Sequence, residues 1–188
     1  WRKLILHMIP LRMKKKILIL ALLLLAIADI HGKRVEIASP DGRNKVAIDA
    51  DDQVGCRVSR DNREIMNLSP IVLSVDNHRW GENARCQSVK KISSRADVTA
   101  DVPRRRRNIP DFYNGAILSY KGYDIEFRVY DDGMAYRFIS KSPKSDKVNG
   151  ETVSFDITGN PKTYTQLTDR LQQWFEYNYT ERNLESLP

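Results

Sequence analysis

The chain has 188 residues, 41% hydrophobic and 29% charged, enough for one sizeable core and too apolar for an extended disordered tail. Its formal charge of +7 invites a nucleic-acid reading, yet six of its basic residues (Arg2, Lys3, Arg12, Lys14, Lys15 and Lys16) lie within residues 1–28, which hold no acid. The rest carries 25 basic against 24 acidic residues, so the electrostatic case for a polyanion partner falls away.

The N-terminal segment has the layout of a secretory signal peptide. Met13 precedes a cationic stretch, Lys14 to Lys16. Ile17 to Leu25 is unbroken apolar sequence, and Ala26-Ile27-Ala28 supplies a small-x-small cleavage pattern. A membrane-spanning helix needs roughly 20 apolar residues, and this run is much shorter. We therefore expect cleavage after Ala28, a mature chain from Asp29, a periplasmic or secreted location and no membrane span after cleavage. Residues 1–12, opening on Trp1, read as sequence upstream of the native start. Export implies an oxidising compartment. Cys56 and Cys86 are the only cysteines, and a disulfide or two buried thiols both fit the sequence.

Beyond the leader, short alternating apolar runs separated by turn residues predict antiparallel strands. Val35 and Ile37 alternate up to Pro40-Asp41-Gly42. Val46 and Ile48 mark a second strand, and Cys56 and Val58 a third. Asp61-Asn62-Arg63 turns the chain into Ile65 and then Ile71 to Val75. His78, beside Trp80 and Gly81, is expected on an exposed loop, with Trp80 packing into the core. Pro103 to Pro110, with Arg104 to Arg107 in a row, reads as a solvated loop. The clearest element is a hairpin. Tyr123, Ile125, Phe127 and Val129 share one face; Asp131-Asp132-Gly133 makes the turn, and Met134, Tyr136 and Phe138 continue the period of two. Asp124, Glu126 and Arg128 fall on the opposite face, expected to meet solvent. Ser140 to Gly150 reads as a loop before a last strand, Thr152 to Ile157. From Gly159 the segment reads as short, irregular or helical, rich in aromatic and acidic residues.

Three segments carry a resemblance. YDIEFRVYDDGMAYRFI (Tyr123 to Ile139) resembles the EFRVYDDGVAYRF hairpin of family 97 glycoside hydrolases. Ser39-Pro40-Asp41-Gly42 and the stretch from Gln173 to Glu181 are similar to that family's N-terminal domain in the same order. The similarity runs from Val35 to Pro188. It implies an all-β, antiparallel super-β-sandwich of the galactose-mutarotase-like kind over residues 29–158. Residues 159–188 would then be the last part of the domain and a linker towards a catalytic (β/α)8 barrel absent from this chain.

The resemblance further implies an exported enzyme that removes terminal α-linked glucose or galactose from an oligosaccharide, and a calcium ion near the substrate, ligated mostly by the barrel. One glutamate, in some members with an asparagine, would come from the end of the N-terminal domain. Glu176, Asn178 and Glu181 are the dense set of oxygen donors there, with Asn178 and Glu181 favoured by their three-residue offset; as bare sequence they also suit surface polar residues on a linker. Glycoside hydrolysis needs two carboxyl groups across the scissile bond. Asp131 with Asp132, Asp124 with Glu126, and Glu176 with Glu181 are the candidate pairs. Turn chemistry explains the first pair, and the second sits on the face expected to be exposed. No catalytic residue is assigned to this chain, and the fragment alone is expected to be inactive. A free-standing carbohydrate-binding or surface sandwich is the alternative reading.

Overall fold

The structure, a computed structural model, describes residues 32–102, 107–167 and 178–187. The segment expected to be a signal peptide, Arg104 to Arg106 and Glu176 lie outside the described residues. Twelve strands, all paired antiparallel, account for nearly all the regular structure among the described residues, in keeping with the expected all-β class. None of the helices among those residues is long and apolar enough to cross a membrane.

The first sheet begins as a meander. β1 (Arg34–Ala38), β2 (Asn44–Asp49) and β3 (Gly55–Arg60) pair in sequence order. Their alternate residues Val35, Ile37, Val46, Ile48, Cys56 and Val58 are buried, so the period of two in the sequence becomes one apolar face. Arg60 pairs with Arg63 across a two-residue turn whose Asp61 and Asn62 both adopt positive φ, 51° and 63°. Asn and Asp tolerate that conformation, and the turn suits the twist of the flanking strands.

The sequence suggested two runs after that turn; the structure has one long strand, β4 (Arg63–Val75). Its first half pairs with β3 and its second half with the short β5 (His78–Trp80), while β10 (Val148–Ile157) runs along its other side. The β4–β10 register shifts between Val153 and Phe155, opposite Ser69 and Pro70, which absorbs the missing proline N–H without ending the strand. β10 starts earlier than Thr152 and forms the sheet's outer edge, with Val148 and Phe155 exposed.

The second sheet has the order β6 (Ser88–Thr99), β7 (Asn108–Ser119), β8 (Tyr123–Val129), β9 (Met134–Ser140). The last two are the expected hairpin. Asn108 to Pro110, expected in a loop, belong to β7 and pair with Asp97 to Thr99. Pro110 is accommodated because β8 pairs with β7 only from Asn114 onward, so at Pro110 β7 is itself open on one side. β6 itself lacks clean alternation: Val89 packs on the core, whereas Ile92 is opposite Gly115 on the other face.

The two sheets close over a shared core in which Ile48, Val46, Leu68 and Ile71 meet Ala116, Leu118, Ile125, Phe127 and Val129. Burial of each large aliphatic side chain there contributes about 1.5–3 kcal/mol. Both cysteines are buried free thiols, and burial pushes Cys56 up to about 12.

At one end of the sandwich the Ser39 to Gly42 turn is docked on the Asp131 to Gly133 turn. The Asp41 N–H donates to Asp131 Oδ1 at 2.9 Å. The Asn44 side-chain amide donates to the carbonyls of Tyr130 at 2.8 Å and Asp131 at 3.0 Å, and its oxygen accepts from Arg60 at 2.8 Å. Asn44 is buried, and those bonds are part-buried. Further along, Asn114 on β7 donates to the Ala38 carbonyl on β1.

Residues 168–177, where most of the irregular or helical expectation falls, lie outside the described residues; the described parts on either side are extended. β11 (Lys162–Thr165) and β12 (Thr180–Asn183) pair as a two-stranded ribbon, and helical geometry among the described residues there is confined to a 3-10 turn at Leu184–Ser186. The β-branched and aromatic residues Thr163, Tyr164 and Thr165 favour extension, but the ribbon is largely exposed and shows no apolar alternation.

Asn44→Ala should lower stability by about 1 kcal/mol, since the part-buried Tyr130 and Asp131 carbonyls lose the amide donor while Asp131 keeps Arg60. Urea unfolding of the 188-residue chain measures this; an unchanged midpoint would show that the docked turns contribute nothing.

Candidate functional site

Glu181 and Asn178 lie on or beside the C-terminal ribbon. Glu181 stands on β12 opposite Tyr164. Its carboxylate is already engaged: Lys162 Nζ lies 2.5 Å from Oε1, and the Tyr164 hydroxyl donates to Oε2 at 2.7 Å. These hydrogen bonds hold its pKa below the ordinary glutamate value. Lys162, Tyr164 and Glu181 are all exposed. Asn178 is exposed just before β12. A second tie braces the ribbon's far end, where Asn160 and Glu185 exchange two hydrogen bonds of 3.1 Å each.

Calcium takes six to eight oxygen ligands. Glu181 and the Asn178 amide are donors of the right hardness, and their ionised or neutral oxygens face solvent. Yet among the described residues no group of three or more His, Cys, Asp or Glu side chains comes together as a metal site. The residues present fit a minority share of a calcium shell, with Lys162 as the competitor for Glu181.

Of the other candidate carboxylates, Asp131, Asp124 and Glu126 are held structurally. Asp131 accepts the Asp41 N–H at the docked turns. Asp124 is paired with Lys141 at 2.6 Å. Glu126 corrects the expectation of a solvent-facing residue: although it points away from the main core, it is only 3% exposed. Arg128 Nε donates to its Oε1 and Arg137 Nε to its Oε2, both at 2.6 Å. Arg128 also lies over the Tyr113 ring at 4.5 Å, near Asp111, which accepts from the Tyr130 hydroxyl at 2.9 Å. Two guanidinium groups and a neighbouring ring roof the carboxylate, which is why it leaves solvent on an outer sheet face. The signal in the sequence was the facing of Glu126 and Arg137 across the hairpin, an opposite-charge cross-strand pair. Burial pushes the Glu126 pKa up, but hydrogen bonds and charge from Arg128 and Arg137 outweigh it and leave the pKa lowered. It is an ionised, cation-saturated group, unlike a proton donor poised for glycoside cleavage.

Comparison with known proteins agrees with this geometry. Residues 37–188 match the family model described as Glycosyl-hydrolase 97 N-terminal. A retaining alpha-galactosidase from Bacteroides thetaiotaomicron is 33% identical over 148 residues, covering 76% of this chain and 22% of that protein. A glycoside hydrolase family 97 enzyme from Pseudoalteromonas sp. strain K8, solved in complex with acarbose, superposes with a TM-score of 0.64 at 18% identity, covering 79% of this chain and 24% of the other. An E480Q form of a family 97 enzyme from the same strain, in complex with panose, gives 0.63 at 18% identity, covering 78% and 24%. The chain thus spans about a quarter or less of the length of these relatives.

The lowered pKa of Glu126 means that its contribution to stability is present above the unfolded glutamate value, about 4.3, and is lost as pH falls through the lower folded value. Urea unfolding at a series of pH values should therefore show a steeper acid loss for the parent chain than for Glu126→Gln. Parallel profiles would remove this carboxylate from the account of acid sensitivity.

Proposed function

Because the chain belongs to the Glycosyl-hydrolase 97 N-terminal family, we propose that it is the exported, non-catalytic sandwich of a longer enzyme that hydrolyses terminal α-glycosidic bonds of oligosaccharides. The observation that carries this reading is the 33% identity to a retaining alpha-galactosidase of which the chain covers 22%. It puts α-galactosides first as substrates. The acarbose and panose complexes of the structural neighbours keep α-glucosides as the second choice.

In this reading the acid and its partner carboxylate sit on the catalytic barrel beyond these residues. The sandwich supplies a rigid mount. Asp124, Glu126 and Glu181 are paired with Lys141, with Arg128 and Arg137, and with Lys162, an environment unsuited to protonating a leaving group or attacking a sugar. The C-terminal ribbon carries Glu181 and Asn178 as donors towards a calcium ion shared with the barrel, with Glu176 as a third candidate. Bound there, calcium would neutralise and orient oxygens near the reacting bond. Glu181 reaches it by releasing Lys162, an exchange that costs little because the pair is exposed.

The leader supports export, and N-terminal sequencing of the exported product should begin at Asp29. Expression of the longer reading frame should yield hydrolysis of an aryl α-galactoside or α-glucoside, while the 188-residue chain turns over neither. Turnover by the short chain would overturn the division of labour. In the longer enzyme, calcium should raise Tm, and Glu181→Gln should cut that shift substantially, because a ligand that binds only the folded state stabilises it by mass action. An undiminished shift would exclude Glu181 as a ligand.

A further inference from the structure

At the end of the sandwich where β5, the β7–β8 turn and the start of the β9–β10 connection meet, there is an open cleft of about 800 Å³. We propose that this cleft binds a neutral oligosaccharide, with Trp80 as the platform for one sugar ring. It is a second carbohydrate contact, separate from the ribbon that carries Glu181. Only the choice of ligand class rests on the α-glycoside reading above.

Trp80 is the outer plate of an aromatic pile. Buried Tyr120 stacks on Tyr123 at 4.8 Å and 10°, and Tyr123 stacks on Trp80 at 4.8 Å and 5°. Tyr123 therefore covers one face of the indole, and Phe138 tilts towards it at 6.5 Å. Trp80 is half-buried and lines the cleft. The pile also fixes the platform in place. Gly81 N–H donates to the Tyr123 hydroxyl at 2.9 Å. Gly81 has φ of 93°, and a Cβ there would lie 2.1 Å from the Ile71 carbonyl oxygen, so the chain turns sharply at the residue after the indole. A ring held this way has little freedom left to lose on binding.

The rim supplies the polar half of the recognition. Lys141 is tied to Asp124 and to the Tyr120 carbonyl, and Arg79 to Glu82. Arg85 and Lys121 form no ion pair with any described residue, and both line the cleft. Asp76, Glu82 and Asp146 line it too, setting three carboxylates among four cations. That mixture disfavours a phosphate or other compact anion. It suits a pyranose, whose C–H face lies on an aromatic ring while its hydroxyls meet donors and acceptors around the edge. The volume accommodates a di- or trisaccharide, within the usual size of small-molecule clefts.

Isothermal titration of the 188-residue chain with panose and with raffinose tests this. Saturable binding of at least one, with a millimolar Kd, is expected. Trp80→Ala should weaken it at least about tenfold, whereas Trp80→Phe, which keeps a stacking ring, should weaken it less. Arg85→Ala, which leaves the pile intact, should weaken it about threefold. Far-UV circular dichroism checks that each variant is folded. No saturable binding of either sugar, or equal affinity in folded Trp80→Ala, would overturn the proposal. Binding by the short chain with no α-glycoside hydrolysis by the longer enzyme would sink the proposed function and leave this site standing; hydrolysis without binding would do the reverse.

Discussion

The sandwich depends on one buried amide. Asn44 begins β2, yet its side chain donates to two carbonyls of the β8–β9 turn and accepts from Arg60 on β3. Hydrophobic burial brings two sheets together without directing how they register, since apolar contact is non-directional. Two directional, part-buried bonds from the Asn44 amide to the β8–β9 turn tie that register, and Arg60 within the first sheet holds the amide in place. The Ser39 to Gly42 turn exists in the geometry needed to deliver Asn44: Ser39 and Asp41 side chains hydrogen-bond within it, and Gly42 takes a positive φ. Two motifs nearly ninety residues apart in sequence are thus the two halves of one contact.

This explains which parts of the fold were legible in the sequence. β1, β2, β3 and the β8–β9 hairpin each bury one face, so their alternation was plain. β6 and β7 were missed because their apolar residues serve both faces, as with Val89 and Ile92, and because Pro110 and the arginine run beside it resemble a loop. β11 and β12 were missed for the opposite reason. They bury almost nothing, so extended structure there rests on local propensity and pairing, which leave no periodic trace.

The site was legible in its residue types and not in its contacts. Oxygen donors near the C-terminus were visible, but that Glu181 is held by Lys162 and Tyr164 follows only from the β11–β12 pairing. Likewise Glu126 looked like an ordinary outward residue. Only the facing of Arg137 on β9 and the lean of Arg128 over Tyr113 turn an exposed sheet face into a roofed ion cluster. Trp80 had a packing role in the sequence, and it has one; the pile beneath it is what frees its remaining surface for another duty.

The edge formed by β10 has a practical consequence for anyone handling this chain. Val148 and Phe155 face water along a strand whose outer backbone groups have no partner strand among the described residues. Such a rim templates unwanted self-association, and Glu151 and Asp156 are the charges on β10 that interrupt it. Colloidal behaviour in isolation therefore depends on this rim as well as on net charge.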